Sequence, residues 1–255
     1  MKTCSKGKTN KRGNINCKIN NKSEIRYQQI GGRSFNQNMT LFKLKKELKD
    51  NDEPIYYYII KSVVFSNGEY HQSGCGPNFE GGVITLCTCK HRMRTFPEIN
   101  KGTWVAGITT RNSKESNINN SLFYIAQIKK VYDDYDSLIS ELPKNVVEYK
   151  SSLENPLGDI FFPKSNCNNL HLVDCYISPI KDHVHIINGN SWQEDVGLYK
   201  SNKIDPIVHK LIVFDKSKSF IWKKPIITYQ NNSNFGVGQA KTTVSKFLNN
   251  LLQTY

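Results

Sequence analysis

Apolar and β-branched residues fall in short runs set between glycine, proline and asparagine. The densest run is Ile55 to Phe65. Tyr, Ile and Val at that density suit a buried pleated surface, so it predicts the strongest strand of the chain. Ahead of it, Leu41, Leu44 and Leu48 recur at helical spacing among lysines. They predict a short helix over Met39 to Leu48, ended by Asn51-Asp52-Glu53-Pro54. Ser66-Asn67-Gly68 makes a turn into Gly74 to Arg94. That stretch opens with glycines and a proline, continues as the apolar run Val83 to Cys89, and ends in Lys90-His91-Arg92-Met93-Arg94. The pattern predicts a close-approach loop, a buried strand and a cationic exit, a suitable seat for an anion such as phosphate. The same residues also suit a hairpin with solvated cations.

Further along, Trp104 to Thr110 and Leu122 to Val131 read as strands. Leu122, Tyr124, Ala126 and Ile128 share one face of the second. Tyr135 to Leu142 reads as a helix stopped by Pro143. Residues 143 to 169 read as polar and irregular, a length uncommon unless it covers a site. Short strands are expected near His171 to Ile177, His183 to Ile187, His209 to Asp215 and Phe220 to Trp222. Val244, Phe247, Leu248, Leu251 and Leu252 form the stripe of a C-terminal amphipathic helix from about Gln239 to Leu252. The strands lie too close in sequence for βαβ crossovers. The expected class is therefore α+β, with a mixed and largely antiparallel sheet and a few helices.

Charge changes the picture of partners. The formal charge is +13 over 255 residues, with a pI near 9.3. A polyanion, nucleic acid or nucleotide, is thus the first partner to consider. Residues 1–24 read as a basic disordered arm, carrying Lys2, Lys6, Lys8, Lys11, Arg12, Lys18 and Lys22. Residues 25–54 read as an N-terminal extension with one short helix, and residues 55–255 as the main domain. No apolar run is long enough to span a membrane, and the amino terminus lacks the apolar core of a signal peptide. Seven cysteines, an odd number, fit reduced thiols and a cytoplasmic location.

Gly76-Pro77-Asn78 followed by Thr85-Leu86-Cys87-Thr88-Cys89-Lys90-His91-Arg92-Met93-Arg94, then Gly102-Thr103-Trp104-Val105-Ala106-Gly107 and Leu122 to Ile128, resembles the second nucleotide-modification-associated domain family. That family belongs to predicted DNA-modification and phage-defence systems. The resemblance covers about Gly74 to Leu138 and is faint beyond; the first 54 residues lie outside it. Family members tend to carry Ala, Pro and Asp where Gly76, His91 and Thr103 stand, and His where Ala240 stands. A looser likeness of Lys101 to Val131 to PUA-like domains implies a partly closed barrel that holds a flipped base. The resemblance implies a protein acting on, or reading, a nucleobase or nucleotide. With it, Pro77, Asn78, Lys90, Arg94 and Trp104 are expected as binding residues, joined by Gly76 of the same loop and by Arg92 as a neighbouring phosphate-holding cation. No cofactor is implied.

The residues offer their own alternatives. The amide of Asn78 suits a base edge, or closes an Asx-turn after Pro77. If the strand stays regular, Cys87, Cys89 and His91 share a face. Lys90, Arg92 and Arg94 could then activate Cys89 as a nucleophile, or bind phosphate while the thiols fill space. Asn78, Cys89 and Lys90 are the catalytic candidates. Cys87, Cys89 and His91 could also ligate a metal, although no spaced partner pair completes that site, and Cys167, His171 and Cys175 form a loose cluster that could bind one. His183 and His185 share one side of a strand as a possible base. Asp133, Asp134 and Asp136 could hold a cation or begin a helix. Phe161, Phe162, Trp192 and Trp222 could stack a base or fill the core, and Gly236 and Gly238 could turn backbone amides toward a ligand. Walker, dinucleotide-binding, Ser-His-Asp and zinc-deaminase signatures are absent from the sequence.

Overall fold

The computed structural model describes residues 35–72, 74, 76–110, 120–151, 158–160, 209–230 and 239–254, with short strand segments between 161 and 208. In order come β1 (Asn36–Gln37), α1 (Leu41–Glu47), β2 (Pro54–Ile60), β3 (Val63–Ser66) and β4 (Glu69–Gln72). A 3-10 turn at Glu80–Gly82, β5 (Thr85–Leu86), α2 (His91–Arg94), β6 (Trp104–Thr109) and β7 (Leu122–Tyr132) follow, then α3 (Tyr135–Glu141) and α4 (Lys144–Lys150). Strands β8 (Phe162–Pro163) and β9 (Tyr176–Ile177) pair antiparallel, as do β10 (Leu198–Tyr199) and β11 (Ile207–Val208). The remaining elements are β12 (Leu211–Ile221), β13 (Ile227–Tyr229), β14 (Gln239–Thr243), α5 (Val244–Asn249) and β15 (Leu251–Gln253).

Seven strands form one sheet in the order β1-β12-β7-β6-β2-β14, with β5 also paired to β12. The β2–β6 and β1–β12 pairs are parallel and the others antiparallel. The class is α+β with a mixed sheet. Among the described residues the strand path stays open, and the barrel expected from the PUA-like resemblance does not close.

Strand β2 explains its own sequence. Tyr56, Tyr58 and Ile60 enter one core cluster, whereas Ile55, Tyr57 and Ile59 enter another on the opposite face. A strand buried on both faces shows no polar alternation, hence its continuous apolar run. The first face is covered by Phe65 and Tyr70 of the β3–β4 hairpin and by Phe79, Ile84, Leu86 and Met93. The second is covered by Leu41 and Leu44 of α1, Phe247 and Leu248 of α5, and Ile227 and Tyr229 of β13. Residues 36–48 thus belong to the same sheet and core as the rest.

Several expectations need correction. The run Ile55 to Phe65 is two strands, because the chain reverses at Lys61-Ser62 and folds β3–β4 back over the sheet. The strand expected over Val83 to Cys89 is only Thr85–Leu86, so Cys87, Cys89 and His91 do not lie along one regular strand face. The irregular stretch after Pro143 begins with α4, whose Val146, Val147 and Lys150 are buried. The C-terminal helix is three elements: Gln239–Thr243 pairs with β2, Thr243 caps α5 by accepting from the Lys246 N–H, and Leu251–Gln253 pairs with β13. His209 to Asp215 and Phe220 to Trp222 belong together, since β12 runs through both with a register shift between Phe214 and Ser219.

Candidate functional site

Strand β5 stops at Leu86 because the backbone turns sharply. Cys89 and Lys90 both adopt left-handed conformations, at φ 58° and 49°. For residues with a Cβ this costs roughly 1–2 kcal/mol each, and it persists only where the surroundings impose it. Here they do, through four hydrogen bonds to the backbone of Cys87, Cys89 and Lys90. The Cys87 N–H donates to Asp159 Oδ2 at 3.1 Å, and the Tyr135 hydroxyl donates to the Cys87 carbonyl at 3.0 Å. Arg94 Nε donates to the Cys89 carbonyl at 2.9 Å, and the Arg94 N–H to the Lys90 carbonyl at 3.1 Å.

Behind the turn lies a buried polar network. Lys150, fully buried, donates to Asn78 Oδ1 at 2.8 Å, to the Asn78 carbonyl at 3.2 Å and to Thr85 Oγ1 at 2.9 Å. Thr85 in turn donates to Asp159 Oδ1 at 2.9 Å. Burial pulls the Lys150 amine below its ordinary range and pushes the Asp159 carboxyl above its own; the mutual attraction of the two opposes both shifts. Such a pair holds position at a cost in desolvation, so its gain is geometric rather than energetic. Gly158 lets the Asp159 segment approach, because a Cβ there would fall on the Lys150 carbonyl group.

Toward the outside, the turn presents Cys89 and Lys90, both half-buried, with exposed Arg92 beside them. Lys90 Nζ donates to the Ile59 carbonyl at 3.3 Å and sits 4.5 Å from the ring centre of Tyr58, a cation–π contact. Burial draws its amine below the ordinary lysine range, with Cys89 and Lys61 as the neighbouring charges. Beneath, the Tyr58 and Tyr124 hydroxyls share a hydrogen bond of 2.9 Å. A Cβ on Gly76 would lie 3.1 Å from the Cys89 Cβ, so the Gly76-Pro77 loop packs directly on the turn. Ile59 and Ile60 are the last residues of β2, which runs parallel to β6. The turn therefore caps the carboxyl end of the parallel pair.

The other expected residues fall as follows. Asn78 is fully buried, and its Oδ1 accepts from the Glu80 N–H at 3.0 Å, which is an Asx-turn, as well as from Lys150. Pro77 is buried, and its carbonyl accepts from Gln72 Nε2 at 2.9 Å. Arg94 is fully buried and ties the turn to Lys210, donating to its carbonyl at 3.1 Å. Trp104 is buried and donates to Glu53 Oε2 at 2.7 Å, away from the turn. Asp134 caps α3 through the Ser137 N–H, and Trp222 fills the core while donating to the Met39 carbonyl. Cys167, His171, Cys175, His183, His185, Phe161, Trp192, Gly236 and Gly238 lie outside the described residues, as does the side chain of Phe162. Among the described residues no cluster of His, Cys, Asp and Glu could hold a metal. Among the described residues no helix is long and apolar enough to cross a membrane.

Lys150, Asp159, Tyr135 and Tyr58 are the parts that sequence reasoning missed. Their signal is spatial: Lys150 meets Asn78 across 72 positions of chain. The turn itself carries no glycine or asparagine to announce it.

No protein-family model matches the chain, and no solved structure matches it. Flagellar hook-associated protein 1 of Buchnera aphidicola subsp. Schizaphis graminum is 31% identical over 113 residues, 42% of this chain and 19% of that protein. The chain thus spans about a fifth of this curated relative, too small a share to assign a family.

Proposed function

We propose that this protein binds a nucleotide, free or within a nucleic acid, at the Cys89–Lys90 turn, as part of a base-modification or phage-defence system. The observation that carries the reading is the turn: two left-handed residues, held by four backbone hydrogen bonds from buried groups, set a thiol and an amine side by side at a strand end. Preorganisation of this kind is what a binding or catalytic site requires. The resemblance of Gly74 to Leu138 to the nucleotide-modification-associated family and the positive charge point to the same ligand class. Lys90 and Arg92 contact phosphate, the Gly76 loop lies against the base or sugar, and Asn78 and Arg94 act as positioning residues. Where chemistry occurs, Cys89 is the nucleophile.

A second reading is a reader without chemistry. It is favoured by the use of Asn78 Oδ1, Arg94 Nε and Lys150 Nζ for holding the fold. Calorimetric titration of nucleoside monophosphates and short single-stranded DNA separates these readings. The intact chain binds, and Lys90→Met weakens binding about tenfold or more, since a hydrogen bond to a charged group is worth about 1.5–3 kcal/mol. Turnover lost in Cys89→Ser with binding kept identifies an enzyme; binding without turnover in the intact chain identifies a reader. Absence of binding to every probe refutes both.

A further inference from the structure

A cleft of about 280 Å³ opens on the sheet, lined by Tyr56, Phe96, Glu98, Gln239, Ala240 and Lys241. Strand register fixes its place relative to the turn. β14 pairs antiparallel with β2, so Lys241 stands opposite Tyr56 and Gln239 opposite Tyr58, each pair on one face of the sheet. Tyr56 and Tyr58 enter the same core cluster, about 7 Å apart along the strand. The Lys90 ammonium lies over the Tyr58 ring, and its hydrogen bond goes to the carbonyl of the next residue, Ile59. Gln239, one wall of the cleft, is therefore the cross-strand neighbour of the residue that carries Lys90.

The lining has a definite complement. The Tyr56 and Phe96 rings lie 5.8 Å apart and form an aromatic wall. Lys241 Nζ sits 5.5 Å from the Tyr56 ring centre and donates to Glu98 Oε1 at 3.1 Å. The Glu98 carboxyl is held below its ordinary range by its own backbone N–H, by Lys241 and by the Tyr56 hydroxyl, so it stays an anion and only accepts. Those bonds leave lone-pair capacity on a side chain that is about half exposed. Beside an aromatic wall, an acceptor adjoining a donor suits a flat ring whose edge carries N–H groups next to an oxo group.

We propose that this cleft holds the base of the nucleotide and selects guanine. The ring lies against Phe96 and Tyr56, Glu98 accepts from the N1–H and 2-amino edge, and Lys241 donates to O6. The proposal rests on the nucleotide-binding reading above, with the phosphate at Lys90 and Arg92. Adenine carries an acceptor at N1 and an amine in place of O6, so the carboxylate and the ammonium would each meet the wrong partner.

Calorimetric titration of GMP and AMP into the full chain and into Glu98→Ala tests this. The intact protein binds GMP about tenfold or more tightly than AMP. Glu98→Ala, at an exposed position outside the core, brings that ratio near one and keeps the AMP affinity. In NMR spectra of the intact chain, the amide signals of Phe96, Glu98 and residues 239–241 shift with GMP. Equal affinities, or a preference for AMP, overturn the guanine assignment and leave nucleotide binding in place. A GMP preference that survives Glu98→Ala, or that comes without shifts at those amides, puts the base elsewhere and overturns it equally. If neither nucleotide binds, the underlying reading falls as well.

Discussion

Arg94 and Lys150 show how far a side chain's formal charge is from its role. Both are fully buried and spend their donors on carbonyl and side-chain oxygens around one short turn. Arg94→Met removes the bonds to the Cys89 and Lys210 carbonyls, so urea denaturation is expected to show a loss of about 3 kcal/mol. A neutral result would mean that the turn stands without it. Lys150→Met leaves Asp159 buried without its cation and is expected to cost about 3–5 kcal/mol. Combining it with Asp159→Leu should cost less than the sum of the single changes, and simple additivity would remove the coupling argued here. In the stretch Gly74 to Arg94 the glycine-proline loop and the Asx-turn of Asn78 were legible in the sequence, but the contacts of Asn78 with Lys150 and of Arg94 with Cys89 and Lys210 were not. Asn78 and Arg94 read as ligand contacts from residue type and from the family resemblance, whereas Lys150 and Lys210, which they meet, lie 72 and 116 positions away.

At the level of elements, the strands were the legible part. Their β-branched and aromatic runs have few other uses, and β2, β6 and β7 fall close to where the pattern puts them. Boundaries failed where tertiary pairing overrode local spacing. Gln239–Thr243 continues a helical period into α5, yet Thr242 and Thr243 pair with the start of β2 and extend the sheet. α4 was hidden because its burial rests on Val146, Val147 and a lysine, and a buried lysine weakens the apolar count. The approach of the Asp159 segment to the end of α4 was equally invisible. Its test is Gly158→Ala, where the new Cβ meets the Lys150 carbonyl group. Overpacking against backbone is expected to cost at least about 2 kcal/mol by thermal or urea unfolding, and a fully stable variant would show that the segment does not pack there.

For the molecule as a whole, the polar chemistry of the core is largely phenolic. Burial pushes the hydroxyls of Tyr58, Tyr70, Tyr124 and Tyr229 well above the ordinary tyrosine value, and that of Tyr132 up to about 12. A folded pKa raised above the unfolded one means that the native state holds its protons longer. The stabilisation is therefore complete below about pH 10 and is lost as pH rises further. Ultraviolet titration should find these hydroxyls silent near pH 10 and ionising together with unfolding; ionisation of all tyrosines at ordinary pH in the intact fold would contradict the packing. The formal charge of +13 likewise overstates the free cations, because Arg94, Lys150 and Lys210 are engaged inside. Among the described residues, Lys90, Arg92 and Lys61 remain near the site, at the carboxyl end of the parallel strands. The central claim is that a nucleotide seats against this turn, and heteronuclear NMR titration with GMP and AMP locates it directly. The amide signals of residues 88–92 and of Gly76 and Asn78 should shift with saturation, while those of β13 and β15 stay fixed. Shifts confined to other parts of the chain, or no saturable shift at all, would contradict it.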